Sequence, residues 1–237
     1  MSDHDRNVAA FPRAGQPVAV DAGLRAHMLT VYNYMAVGVA LTGVVAFFTH
    51  QYFGPALARN QVLMYALIFA PLILVFFLSW RIDRLSAGAA RALFFVYAAL
   101  LGASLSTIFA VYTTASITNV FLISAATFGG LSLWGYTTQR DLSPMGSFLM
   151  MGLIGIIIAS LVNIFLKSSG LDWIVSVIGV IVFAGLTAWD TQKIKEMYSA
   201  YDDGTVAGRK AVMGALTLYL DFINLFLMLL RLFGGRR

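Results

Sequence analysis

One acidic residue stands alone in the most apolar part of the C-terminal third of the chain. Asp221 lies within Leu216–Leu230, and no basic residue is nearer than Lys210 or Arg231. Counted from Val212 at ~1.5 Å per residue, it falls roughly 14 Å along a helix. If that helix crosses a membrane, this is near the middle of a hydrocarbon core about 30 Å thick. An aspartate at that depth costs about 2.5–3.5 kcal/mol on insertion scales, so it must face the bundle interior and have a partner. Two uses are open to it: a protonated acid bridging two helices, or an ion or proton site.

Asp190 is the natural partner, ending the preceding apolar run directly after Trp189. Taken alone it reads equally as an interfacial acid paired with Lys193 or Lys195. Two carboxylates on consecutive helices change the expectation. Within hydrogen-bonding reach they cannot both ionise cheaply, and the proton they share makes them a pH sensor by construction. Arg81 ends the second apolar run after Trp80, on the same side as Asp190 if the helices alternate. It reads either as an interfacial anchor or as a latch that clamps an ionised Asp190 and plugs an aqueous path.

The elements that must hold these groups follow from composition. Hydrophobic residues make up 59% of 237 residues and charged residues 11%, with mean hydropathy +0.81. A soluble domain carries roughly 25% charged residues, so the expected class is an all-α integral membrane protein. Seven apolar runs are expected to span: Met28–Phe48, Val62–Trp80, Ala92–Tyr112, Val120–Tyr136, Gly146–Leu166, Trp173–Trp189 and Val212–Leu230. The polar stretch Thr113–Asn119 is expected to precede the fourth, and Pro71 to kink the second. Residues 1–26 read as a flexible cytoplasmic tail without the apolar core of a signal peptide, and 27–237 as a single seven-helix domain.

Placing the N-terminus inside puts eleven basic residues in the cytoplasm, against five on the other side, as the positive-inside rule requires. Arg231, Arg236 and Arg237 are discordant, and a re-entrant last segment would remove the discord. The net charge of +5 fits basic loops touching anionic headgroups, and nucleic-acid binding is set aside. Small residues such as Gly102, Gly129, Gly130, Gly152, Gly155, Gly179 and Gly185 suit close helix packing. Cysteine is absent, which excludes disulfides and thiolate metal sites. His4, His27 and His50 show no zinc-helix spacing.

The string from Leu218 through Asp221 to Phe226, followed by Leu229-Leu230-Arg231, resembles the bacterial branch of the Bax inhibitor-1 family. Asp190-Thr191-Gln192 resembles that family's other acidic motif, and the likeness covers Arg25 to Gly234. The resemblance implies seven helices, the last central and wrapped by the first three and the next three. It implies a pH-sensitive calcium leak in a bacterial inner membrane, gated by a di-aspartyl pair with an arginine latch. Asp190 and Asp221 match the pair and become the implied calcium-contacting residues, since carboxylate oxygens suit a hard cation. Arg81 matches the latch by position, in a loop of different length. No tightly bound cofactor is implied; calcium is the permeant or weakly held ion.

Two other functions compete. Some relatives are implied to act without transport, as regulators of a membrane-anchored ATP-dependent protease or of cell-death and stress proteins. An intramembrane aspartyl protease would need glycines around the second acid and a downstream Pro-Ala-Leu element. Asp221 instead follows Tyr219-Leu220, and Pro55–Leu57 lies in the first loop, so an enzyme is not expected. A retinal protein is excluded by the lack of lysine in the last span.

Overall fold

Five of the helices begin where the sequence supplies a side-chain oxygen to cap them. The structure, a computed structural model, describes residues 22–236; residues 1–21, where most of the expected tail falls, and residue 237 lie outside the described residues. Helix α1 spans Ala22–Arg59, so residues 22–26 are helical. Asn60 then caps α2 (Gln61–Arg81) by accepting from the Leu63 amide. A 3-10 turn, Ile82–Arg84, leads to α3 (Ala87–Leu105), capped by Ser86. The short α4 (Ile108–Val111) precedes α5 (Thr114–Thr137), α6 (Ser143–Leu166), α7 (Ser169–Glu196) and α8 (Gly204–Phe233). Asp203 caps α8, accepting from both Thr205 and Val206 at 2.8 Å. These caps satisfy amides that a helix start leaves without intrahelical partners.

Seven helices are long and apolar enough to cross a membrane, with α3 and α4 forming one crossing over Ala87–Val111. Three details differ from the expected spans, the first being that Pro55–Leu57, expected in the first loop, lies inside α1. The third span is broken at Ser106-Thr107, where the Ser106 hydroxyl and amide both turn back to the Ala103 carbonyl. The stretch Thr113–Asn119 is not a polar preamble: Thr113 caps α5 through the Ser116 amide, and the rest is its first turns. Hydropathy missed this because threonine, serine and asparagine satisfy backbone groups at helix starts as readily as in loops.

The last helix is the axis of the bundle. In its most apolar 18-residue stretch, 72% of residues are buried, against 44% for α7 and at most 28% for every other span. Helix α8 packs directly on α1, α3, α5 and α7, while α2 lies outside against α3 and α6 outside against α7. Exposed Phe76 on α2 and Phe165 on α6 show the faces these outer helices offer to lipid. At the centre, the Tyr219 ring meets Phe94 and Tyr97 edge-on. Its hydroxyl lies 2.6 Å from the Thr42 hydroxyl, which is 2.9 Å from both the Gly38 and Ala98 carbonyls. The single Thr42 proton goes to a carbonyl, so Tyr219 donates. One buried hydroxyl pair thereby joins α1, α3 and α8.

Helix α8 runs unbroken to Phe233 and is not re-entrant. Its discordant arginine has a partner: Arg231 lies 3.7 Å from Asp172 in the first turn of α7. Beyond it the chain folds against the start of α5, where the Thr113 amide donates to the Gly235 carbonyl and the Gly235 amide to the Ser116 hydroxyl.

Candidate functional site

The two innermost helices carry the two acids. Asp221 lies seventeen residues beyond Gly204 on α8, about 25 Å along it. Asp190 lies six residues before the end of α7, with its side chain buried. Both are buried, at 8% and 5% exposure for Asp190 and Asp221, and their side chains are within hydrogen-bonding reach of each other. Two ionised carboxylates have only acceptors, so a bond between them requires a proton. Oδ2 of Asp221 is fully enclosed and has no hydrogen-bond partner.

The lysines that might have reduced Asp190 to an interfacial acid are occupied elsewhere. The Lys193 ammonium sits 4.9 Å from the centre of the Trp189 ring. Lys195 donates to the Tyr136 carbonyl at 3.0 Å and lies over that tyrosine's ring. Neither makes an ion pair with Asp190. Arg81 is not joined to the pair either. Its guanidinium lies 5.7 Å from the centre of the Trp80 ring, and no ion pair connects it to Asp190. The turn that follows it is tied to the central helix, because Arg209 on α8 donates to the Asp83 carbonyl.

The residues after Asp190 do separate work that their types alone did not reveal. Thr191 donates to the Thr187 carbonyl at 2.7 Å and is 2.9 Å from the Ser132 hydroxyl on α5. Ser132 is in turn 2.5 Å from the Tyr32 hydroxyl on α1. This hydroxyl chain crosses three helices beside the carboxyl pair. Gln192 holds the α5–α6 loop, accepting from the Leu142 amide and donating to the Arg140 carbonyl, both at 2.8 Å. In the same loop, the Ser143 amide and then its hydroxyl hold the Asp141 carboxyl below the usual carboxylate range. The adjacency of Thr191 and Gln192 to Asp190 was the available signal for these contacts.

Close backbone packing fixes α7 in this position. A Cβ added at Gly135 would fall 2.2 Å from the Ala188 carbonyl oxygen, so α5 and α7 meet there with no room for any side chain. That contact lies two residues before Asp190 and three after Ser132. Among the described residues no group of three or more metal-ligating side chains gathers, so the pair stands as a two-carboxylate site.

Comparison with known proteins places the chain among membrane proteins. The inner membrane protein YbhL of Escherichia coli is 52% identical over 231 residues, covering 96% of this chain and 99% of YbhL. An uncharacterized protein of Rickettsia prowazekii is 49% identical, covering 92% of each chain. An uncharacterized membrane protein of Streptococcus pyogenes is 39% identical over 90% of this chain and 94% of its own. None of these names is that of an enzyme. The model of the family described as "Inhibitor of apoptosis-promoting Bax1" matches residues 24–237, and this integral membrane protein belongs to the Bax inhibitor-1 family.

Proposed function

We propose that the protein is a pH-sensitive leak channel for calcium in a bacterial inner membrane, with its N-terminus in the cytoplasm and its gate at Asp190 and Asp221. The observation that carries this is the enclosed carboxyl pair between the two innermost helices, with one Asp221 oxygen unpartnered. Carboxylate oxygens suit a hard cation, and two of them are too few for the six to eight ligands of a tight calcium site. Weak contact and leak-like passage follow.

Arg81 is the latch of this proposal. With the carboxyl groups joined to each other, the guanidinium rests on Trp80; an ionised Asp190 would draw it inward and close the path.

The test is calcium flux into liposomes holding purified protein, with Asp221→Asn compared to the parent and thermal stability measured on the same preparations. The amide keeps a hydrogen-bonding group against Asp190 while removing a charged ligand. Losing a charge-assisted contact of about 1.5–3 kcal/mol lowers flux at least about tenfold at unchanged stability. Flux that persists in a folded Asp221→Asn protein would refute the site. A folded parent that passes no calcium at any pH would favour the regulator of a membrane protease.

A further inference from the structure

Helices α1 and α5 flank the central helix and meet through the Tyr32 and Ser132 hydroxyls without packing face to face. A groove of about 720 Å³ separates them, with Phe222 of α8 in its lining. Its α1 wall is a stripe at helical spacing from Arg25 through Tyr32 and Ala36 to Ala40, and its α5 wall runs antiparallel from Phe121 through Gly129 to Tyr136. Small residues on both walls keep it open, and a Cβ added at Gly129 would meet nothing within 4 Å.

The lining is graded along its length. Arg25, Tyr32, Ser132 and Tyr136 supply its hydroxyls and its charge, all toward the end where α1 begins and α5 finishes. The other end is hydrocarbon and aromatic, and no acid lines any part of it. Arg25 is exposed and makes no ion pair with the described residues. From Arg25 to Ala40 the α1 wall is about 22 Å long at 1.5 Å per residue. That equals roughly half the 40–45 Å of a complete bilayer, headgroups included. The groove is therefore one leaflet deep, cationic at the headgroup level and apolar toward the midplane.

We infer that this groove is a binding site for one anionic phospholipid of the leaflet facing the α1 N-terminus, with the acyl chain along Ala36, Ala40 and Gly129 and the phosphate at Arg25. The site does not depend on the protein's being a channel. It does place the lipid beside the Tyr32 and Ser132 hydroxyls, the groove end of the chain that leads to Thr191.

Native mass spectrometry of the full-length protein, released from micelles with phosphatidylglycerol or phosphatidylcholine of identical acyl chains, tests it. The parent is expected to retain one phosphatidylglycerol in preference to phosphatidylcholine by about fivefold, the value of one basic residue at an anionic headgroup. Arg25→Gln should abolish the preference while both lipids remain bound weakly. Gly129→Leu, which grows into open space, should lower retention of both at a thermal stability no lower than the parent's. Equal retention of the two lipids by the parent would overturn the assignment, as would undiminished retention by Gly129→Leu. Efficient disulfide cross-linking of Gly129→Cys between two copies in membranes would also overturn it, by showing that a second chain covers the groove.

Discussion

At the scale of single residues, the proposed gate rests on a proton shared between Asp190 and Asp221. In the arrangement seen, each carboxyl group has the other as a hydrogen-bonding neighbour, which a fully ionised pair could not have. The direction of pH dependence follows. In the proposed gate, raising pH would remove the shared proton, leave Asp190 ionised and favour its attraction to Arg81; lowering pH would restore the proton and free the latch. Calcium flux is therefore expected to rise as pH falls on the acid side of neutral. Asp190→Asn cannot ionise, so its flux should be nearly independent of pH across the range where the parent changes. Liposome flux measured at a series of pH values for both proteins decides this, and superimposable profiles would remove Asp190 from the sensor. The acids and their partnership were legible in the sequence, because a lone aspartate in an apolar helix must find a polar neighbour. The contacts of Thr191 and Gln192 were not, since neutral hydroxyls and amides give no such warning.

At the scale of elements, the position of Asp190 depends on how closely α5 approaches α7. Gly135 admits the Ala188 carbonyl, and Ser132 and Thr191 bond across the same interface at 2.9 Å. Gly135→Ala should therefore lower stability by about 1–3 kcal/mol, as overpacking does, and weaken the hydroxyl chain to Tyr32. The control is Gly129→Ala on the same helix. Its new methyl group meets nothing, and replacing a mid-helix glycine should raise stability by roughly 0.5–1 kcal/mol. Unfolding of the two variants in one detergent measures the difference, and equal stabilities would show that the α5–α7 contact is not tight. Sequence inspection marked Gly129 and Gly130 as packing residues and passed over Gly135. All three are on α5, but only the neighbouring helices determine which face is crowded.

At the scale of the whole molecule, the alternation of seven spans sets the two sides. The α7–α8 connection should lie on the same side as the start of α1, and the α1–α2 connection on the other. The chain has no cysteine, so single cysteines report directly. Tyr201→Cys, at a position 99% exposed, should react with a membrane-impermeant maleimide from the cytoplasmic side. Arg59→Cys should react only from the opposite side. Labelling of both from one side would contradict the seven-span topology.

Sequence alone determined the solvent, the number of spans and the two acids. Each of these is a local property, readable from runs of apolar side chains and from a charge where hydrocarbon is expected. Tertiary structure alone decided that α8 is the most buried helix, that its neighbours are α1, α3, α5 and α7, and that α1 and α5 leave a groove between them. Those outcomes depend on which faces meet. In an apolar helix every face is hydrophobic, so periodicity carries little information about orientation. The same reason explains Arg81. Its place at the end of α2 was evident from the sequence, but its contact with Trp80 rather than Asp190 depends on α2 lying outside α3. That placement is set by packing between helices distant in the chain.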